Sequence, residues 1–361
     1  MKPESDANGL LSSSEAPAVD VLLASLAGKR VYAVPLRGNN GDVLLELAMQ
    51  HAFRRYGHRR VHRPGAADWI CFRSSGAMND FWCEGPRRLG EMARRFPDTP
   101  IVVLPSSFHF EQTDLSALLA DRTGPTYLYA RERISYRRLA QMKLPTAVHL
   151  GLGDDMALDL RDTPLVARWR AYRQWQPRDY VLVVERGDLE HPASDVPLCV
   201  SRPDVIEPMF RGVVKNAGRP YVHVLKRARW RRRGQWCCEP LSSEFESECR
   251  ALLDEHYPQL ASLPWRSADV SDFLKYSFRE FCSLIAGAAV VVTTRLHAGL
   301  MANMLGVPVA FRDGRYGKIA GVYEYSIAGL PGVQLIGVAT PTDRPDSLAR
   351  AGDEPTLPPM G

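Results

Sequence analysis

Short runs of apolar and β-branched residues alternate with longer segments of helical periodicity along most of the chain. Many of these runs are continuous, which is the pattern of parallel strands that are buried on both faces. The predicted strands are 30–36, 68–72, 101–105, 126–130, 180–184, 221–225, 289–294 and 307–311. The pattern therefore predicts an α/β fold.

Two of the intervening segments have the clearest helical pattern. Between Asp42 and Gly57, apolar residues recur at intervals of three and four, with Asp42 placed to cap the first turn and Gly57 placed to end the helix. A second helix is predicted over 269–287, directly before the strand at 289–294.

The chain has 361 residues, which suits two domains of average size better than one core. The polar segment 157–179 contains two prolines and separates two series of predicted strands, so the domain boundary is predicted there. We expect domains at 19–170 and 171–340. Residues 1–18 and 341–361 are rich in Pro, Ser, Asp and Gly, and this composition predicts disorder.

The composition narrows the class of protein. The longest apolar stretch, 281–292, falls short of the roughly 20 residues that a membrane helix needs, and the first residues lack the pattern of a secretory signal. The seven cysteines include no C-x-x-C pair. This favours reduced thiols in a cytoplasmic protein, with neither a zinc site nor a disulfide framework.

Positive charge is unevenly spread along the chain. The formal net charge is only +5, but the segment KRARWRRR (226–233) carries six basic residues in eight positions. Such a run is suited to contact phosphates or a membrane surface, and it is equally consistent with an ordinary solvated surface. Its single tryptophan is too little aromatic content to predict a nucleic-acid platform.

Small or polar residues follow four consecutive predicted strands. The segments are PLRGNNGDVLLELA (35–48), FRSSGAMNDFW (72–82), LPSSFHF (104–110) and YARERIS (129–135). Ligands of open α/β folds collect at the carboxyl ends of the strands. These segments therefore predict that the carboxyl edge of the sheet is the functional edge.

The stretch VVTTRLHAGLMANMLGVPVAFRDGRYGKIAG (291–321) has the most distinctive chemistry. The strand is predicted to end near Thr294, so Arg295 and His297 stand where the next helix begins, a position that favours an anion. Arginine binds phosphate or carboxylate through two parallel hydrogen bonds, and histidine exchanges a proton near neutral pH. Lys318 adds a positive charge after the following strand. The expected ligand is an anion with several charges. The alternative is that Arg295 and Lys318 are ordinary surface residues and that His297 only caps the helix.

Seven motifs together resemble the polysaccharide pyruvyl transferase family. They are GNNGD (38–42), SSGAMNDFW (74–82), LPSSFHF (104–110), ARERISY (130–136), ERGDLE (185–190), TTRLHAGLMANMLGVP (293–308) and DGRYGK (313–318), and they occur in the family's order. The resemblance covers about residues 30–325, and RLH with YGK is its most specific part. Ser74 and Ser75 stand where relatives have glycines, and Ser106 stands where they have a glutamine. The resemblance therefore does not establish nucleotide or acceptor contacts in those loops.

The resemblance implies a fold of two Rossmann-like domains that face a cleft, similar to the GT-B glycosyltransferases. It implies acceptor binding on the N-terminal side and a donor anion site on the C-terminal side. It also implies transfer of the pyruvyl group of phosphoenolpyruvate onto two hydroxyls of one sugar, giving a cyclic ketal and phosphate, with no metal or other cofactor. The acceptor would be an exopolysaccharide or its lipid-linked precursor at the cytoplasmic face of the membrane, where the 226–233 run would make peripheral contact.

The resemblance also suggests roles for particular residues. His297 is expected to act as general acid or base, and Glu132 is expected either to orient Arg131 or to accept a proton from a sugar hydroxyl. The expected ligands of phosphoenolpyruvate are Arg295, Lys318 and Arg131, and those of the acceptor sugar are Asn40, Asp42 and Asp80.

Two other functions share these sequence features. A GT-B glycosyltransferase would use the same cleft but take a sugar nucleotide as its donor. A non-catalytic carbohydrate- or anion-binding relative would keep the scaffold and lose turnover, although Arg295, His297 and Lys318 speak against it.

Overall fold

The structure is a computed structural model that describes residues 15–187, 237–314 and 316–336. Within these residues the chain is α/β, and both of its large sheets are parallel, as the continuous apolar runs predict. The predicted strand 221–225, the basic run 226–233, the expected tail 341–361 and residues 1–14 lie outside the described residues.

The first sheet has six parallel strands in the order β2-β1-β3-β5-β7-β8. They are β1 Arg30–Ala33, β2 Arg59–Arg60, β3 Trp69–Phe72, β5 Ile101–Ser106, β7 Thr126–Ala130 and β8 Val148–Leu152. The short strands β4 Met78–Asn79 and β6 Phe108–His109 pair with each other beyond the ends of β3 and β5. The loops that follow β3 and β5 are therefore tied together.

The second sheet has five parallel strands in the order β10-β9-β11-β12-β13. They are β9 Val181–Val184, β10 Trp265–Ser267, β11 Val290–Thr293, β12 Val309–Arg312 and β13 Val333–Ile336. The chain thus passes from one sheet to the other between Leu152 and Val181.

Helices cover the faces of both sheets. They are α1 Val19–Ser25, α2 Asn40–Arg55, α3 Glu84–Arg95, α4 Leu115–Leu119, α5 Arg133–Ala140, α6 Pro164–Gln174, α7 Ser243–His256, α8 Phe278–Gly287, α9 Leu296–Met304 and α10 Lys318–Val322. None of the described helices is long and apolar enough to cross a membrane.

The two sheets share a hydrophobic core. One continuous cluster contains Leu45 of α2, Met156 after β8 and Leu300 of α9, so elements that follow different sheets pack directly against each other. The opposed two-domain arrangement of a GT-B protein and the exact division of the chain into domains stay predictions.

The helix predicted over 269–287 begins later than expected. Ser277 caps α8 by accepting a hydrogen bond from the N–H of Glu280, and the Glu280 carboxylate accepts from the N–H of Ser277 in return. Residues before Ser277 form turns, including a hydrogen bond from the N–H of Tyr276 to the oxygen of Asp272. The capping box thus decides where α8 begins, although the apolar periodicity extends further toward the N-terminus.

Residues 15–18 belong to the folded chain, although the composition predicts disorder up to residue 18. The N–H of Ala16 donates to the oxygen of Leu150 at 2.7 Å, which extends the edge of β8. The Tyr129 hydroxyl donates to the oxygen of Pro17 at 2.7 Å. Pairing at an open sheet edge therefore orders a segment whose composition alone favours disorder.

Candidate active site

A cleft of about 1250 Å³ lies at the carboxyl ends of the two sheets. Its lining comes from loops that follow strands of both sheets, in agreement with the predicted functional edge. Five of the predicted site residues line it: Asp42, Arg131, Arg295, His297 and Lys318. The described part of the chain thus brings together groups that are up to 276 residues apart in sequence.

The turn between β11 and α9 positions Arg295 and His297. The Thr293 hydroxyl accepts a hydrogen bond from the N–H of Arg295 at 2.9 Å and donates to the oxygen of Val184 at 3.2 Å. This pair of bonds anchors the turn to β9. Arg295 is consequently the residue before the first turn of α9, and His297 lies within that turn.

Arg295 reaches the cleft with its charge already partly balanced. Its Nε donates to Oδ1 of Asp269 at 3.1 Å, and its Nη2 donates to Oδ2 of the same carboxylate. Both side chains are buried. A bidentate pair of this kind holds the guanidinium in one orientation, and the sequence alone did not indicate Asp269 as its partner.

Arg131 and Lys318 approach the same place from different halves of the chain. Arg131 is only 1% exposed, and its Nε donates to the Ser107 hydroxyl at 2.9 Å. A Cβ added to Gly76 would lie 3.2 Å from Nη2 of Arg131 and 3.5 Å from Nζ of Lys318. The absence of a side chain at Gly76 therefore leaves room where the two cations meet.

His297 lies between the carboxylate of Asp155 and the first turn of α2. Its Nε2 lies 3.3 Å from Oδ2 of Asp155. A Cβ added to Gly41 would lie 2.8 Å from Cβ and 3.0 Å from Nδ1 of His297. This close approach of His297 thus leaves no room for a side chain at Gly41.

Asp155, like Asp269, is a residue of the site that sequence reasoning missed. It is fully buried and accepts hydrogen bonds from Nη1 of Arg131 at 2.7 Å and from the N–H of Ala157 at 2.9 Å. Burial opposes its ionisation, but the charges of His297 and Arg131 outweigh this and hold the pKa of Asp155 well below its usual range. Its position just after β8 was the available signal, because the other strand-end segments were recognised in the same way.

Glu132 lies next to the cleft lining and is only 2% exposed. Burial raises its pKa to about 7, although the charge of Arg131 and hydrogen bonds from the Ser135 and Ser107 hydroxyls act in the opposite direction. A carboxyl with this pKa can hold or release a proton near neutral pH. It does not itself line the cleft, and the Ser107 hydroxyl connects it to Arg131.

Asn40 joins the two halves of the structure. Its amide nitrogen donates to the oxygens of Val270 and Tyr276, both at 2.9 Å, and its backbone N–H donates to the oxygen of Ser271 at 2.9 Å. The side chain is 2% exposed and does not line the cleft. In this structure its donors are used for internal contacts, which is a different role from the expected acceptor contact.

The two predicted acceptor aspartates have different surroundings. Asp80 is buried away from the cleft lining, and its Oδ2 accepts from the N–H groups of Glu111 and Gln112 at 2.6 and 2.8 Å. Asp42 does line the cleft, where it completes the cap of α2 and forms an ion pair of 3.1 Å with Arg73. Only Asp42 is thus placed to reach a ligand in the cleft.

The serines that depart from the family pattern tie the loops after β3 and β5 together. The N–H of Ser75 donates to the Ser106 hydroxyl at 2.9 Å, and the N–H of Ser107 donates to the oxygen of Ser75 at 3.0 Å. All of these serines are buried. The Ser106 hydroxyl and this backbone bond therefore support the loop that presents Gly76 to Arg131 and Lys318.

These features describe an α/β protein with parallel sheets and a cleft in which a histidine lies among several cations. Residues 236–313 match the family model described as "Polysaccharide pyruvyl transferase", which confirms the resemblance over that segment. The matched segment contains Asp269, Arg295 and His297, and it ends before Lys318.

Comparison with known structures supports the fold. The chain is similar to a protein described as "functional uncharacterized protein KP1_0663 from Klebsiella pneumoniae subsp. pneumoniae NTUH-K2044", with a TM-score of 0.51 and 17% identity. The similarity covers 88% of this chain and 96% of that one. No curated protein sequence matches the chain. At this level of identity the structural match shows the fold alone.

Proposed function

We propose that this protein transfers the pyruvyl group of phosphoenolpyruvate onto two hydroxyls of a sugar in an exopolysaccharide or its lipid-linked precursor. The observation that carries the proposal is the convergence of Arg131 and Lys318 beside Gly76, in a cleft that His297 also lines. The family match over residues 236–313 supports pyruvyl transfer in general.

The charges of the cleft suit a donor with a carboxylate and a phosphate. Arg131 and Arg295 each have a carboxylate partner, and the Lys318 ammonium lies 5.3 Å from the centre of the Tyr316 ring. The described cations and the start of α9 together favour an anion at this place. In the proposed complex Arg131 and Lys318 bind the donor, with Arg295 held beside them by Asp269.

The proposed reaction begins with a proton that is delivered to the methylene carbon of phosphoenolpyruvate. One sugar hydroxyl then attacks C2, forms the first C–O bond and loses its proton. The second hydroxyl forms the second C–O bond as the C2–O bond to phosphate breaks, and its proton leaves with the phosphate. The products are a cyclic pyruvate ketal and phosphate, and the reaction takes no cofactor.

His297 is the group that we assign to proton transfer, because it lines the cleft together with these cations and an imidazole can exchange a proton near neutral pH. Positive charge at Lys318 and Arg131 would stabilise the negative charge that develops on the leaving phosphate. Glu132, with a pKa of about 7, is the proposed second acid or base. On the acceptor side Asp42 is the residue that we propose to contact the sugar.

The direct test combines purified protein, phosphoenolpyruvate and a lipid-linked or model oligosaccharide. Phosphate release and a sugar whose mass has increased by one pyruvate ketal are the expected products. His297→Ala should lower kcat by about 10²- to 10⁴-fold, the usual contribution of acid–base catalysis. Lys318→Ala should mainly raise KM for phosphoenolpyruvate, and Lys29→Ala, at an exposed position, serves as its control.

Thermal protection separates this proposal from the glycosyltransferase alternative. Phosphoenolpyruvate should raise the melting temperature of the wild-type protein and should protect the Lys318→Ala variant less. Protection by a nucleoside diphosphate, without protection by phosphoenolpyruvate, would refute the proposed donor and favour a sugar nucleotide.

Contact with a membrane surface is a separate proposal that depends on the basic run 226–233, which lies outside the described residues. Electrostatic attraction to anionic lipid would bring the protein to its lipid-linked acceptor, and high salt should release it. Sedimentation with vesicles of neutral or anionic lipid tests this. Equal sedimentation with both would favour an ordinary solvated surface.

A further inference from the structure

Asp155 links the two sides of the cleft without lining it. One carboxylate oxygen, Oδ2, accepts from Nη1 of Arg131 at 2.7 Å and lies 3.3 Å from Nε2 of His297. Its other oxygen accepts from the N–H of Ala157. Arg131 follows β7 of the first sheet, and His297 follows β11 of the second sheet. A single buried oxygen therefore positions Arg131, a proposed ligand of phosphoenolpyruvate, relative to His297, the proposed proton-transfer group.

The contact also restricts the state of the imidazole ring. An ionised carboxylate can only accept hydrogen bonds, so the ring nitrogen that faces it must carry a proton. In the neutral ring the other nitrogen then has no proton and is an acceptor. Nδ1 lies beside Gly41, where the absence of a side chain leaves it space at the start of α2.

We propose that Asp155 is a positioning residue that keeps the proton of neutral His297 on Nε2, so that Nδ1 is the nitrogen that exchanges the proton during pyruvyl transfer. The assignment of Nδ1 to that step rests on the proposed function. The placement of the proton on Nε2 rests only on the contact between Asp155 and His297.

The substitution Asp155→Asn tests the assignment because it keeps the shape of the side chain and removes its charge. The carboxylate uses Oδ2 for Arg131 and His297 and Oδ1 for the N–H of Ala157, whereas an amide offers only one accepting oxygen and cannot satisfy all three donors. Loss of a partner that fixes the orientation of a catalytic histidine lowers kcat by on the order of 10²-fold or more. The matched control is Asp154→Asn, because Asp154 is exposed and contacts the Ser326 hydroxyl.

Nitrogen NMR of the histidine ring gives a readout that does not depend on activity. In ¹⁵N-labelled wild-type protein at a pH where the ring is neutral, His297 should show a protonated Nε2 and an unprotonated Nδ1. Its signals are assigned by their absence from His297→Gln. Asp155→Asn should lose this tautomer preference. Asp154→Asn should leave both the tautomer and kcat unchanged.

The possible results distinguish the tautomer assignment from the proposed function. A wild-type ring with its proton on Nδ1 overturns the inference, as does an Asp155→Asn variant with an unchanged tautomer and an unchanged kcat. If the ring carries its proton on Nε2 but phosphoenolpyruvate yields no ketal, the tautomer assignment is supported and the proposed function is refuted. If Asp155→Asn fails to fold, the wild-type spectrum still decides the tautomer. Asp155→Glu, which keeps the charge, should then retain part of the wild-type kcat.

Discussion

Replacement of Glu132 by glutamine should change how the stability of the protein depends on pH. The carboxyl group is buried and accepts hydrogen bonds from the hydroxyls of Ser107 and Ser135. Glutamine has nearly the same shape as the protonated acid and does not titrate. The variant therefore isolates the cost of ionising this one buried group.

The magnitude follows from the pKa of Glu132, which burial raises from 4.5 to about 7. The folded state binds this proton more tightly than the unfolded state, so the stabilising contribution is complete below pH 4.5 and is lost as the pH rises through 7. One pKa unit corresponds to roughly 1.4 kcal/mol. The wild-type protein should therefore lose about 3 kcal/mol relative to Glu132→Gln between these pH values.

Urea unfolding between pH 4.5 and 8.5 measures this difference. Other groups with a raised pKa, such as Asp159 at about 6, titrate in both proteins and cancel when the two free energies of unfolding are subtracted. Glu255→Gln, which changes an exposed carboxylate, is the control. A difference that stays constant with pH, or a wild-type protein that gains stability relative to the variant, would show that Glu132 is already ionised in the folded protein and that the reasoning from burial is wrong.

Three further substitutions test other contacts of the site. Gly41→Ala should lower kcat by more than about tenfold, because the added Cβ would lie 2.8 Å from the Cβ of His297 and must displace the imidazole ring. Its control is Gly329→Ala, where the added Cβ has no neighbour within 4 Å and kcat should stay unchanged. Asn40→Ala should reduce the free energy of unfolding by about 2–4 kcal/mol, because the buried oxygens of Val270 and Tyr276 lose their donor; unchanged stability with weaker sugar binding would instead identify Asn40 as an acceptor ligand. Arg131→Met should cost about 3–5 kcal/mol in the same measurement because it leaves the Asp155 carboxylate without its guanidinium, and it should abolish thermal protection by phosphoenolpyruvate; full protection would exclude Arg131 as a donor ligand.

Local sequence patterns predicted the central elements of the fold well. The apolar runs that became β5, β7 and β11 are long enough to be recognised, and the stripe of α2 has a clear cap. The short strand β2 and the half-buried β13 were missed because their segments show neither a continuous run nor a regular alternation. The start of α8 was misplaced because the apolar periodicity continues on the N-terminal side of the capping box at which the helix begins.

The candidate site was predictable to the extent that it lies at strand ends. Parallel strands bring their carboxyl ends to one edge of a sheet, so Arg131, Arg295 and His297 could be placed there without a structure. The same reasoning overlooked Asp155, although it follows β8 in the same way, because that strand itself was not predicted. The acceptor residues were less predictable, since a polar side chain in a loop can equally serve a ligand or the backbone around it.

By itself the sequence determined the α/β class, the functional edge of the sheets and the cluster of Arg295, His297 and Lys318, because each depends on periodicity or on short motifs along the chain. Only the tertiary structure decided that Asp269 pairs with Arg295, that Asp155 pairs with His297, and that Asn40 holds the two halves together. These contacts join residues that are 26, 142 and 230 positions apart. Polar pairs of this kind follow no periodicity, and burial selects the partners because a buried charge or amide is stable only when its hydrogen bonds are made.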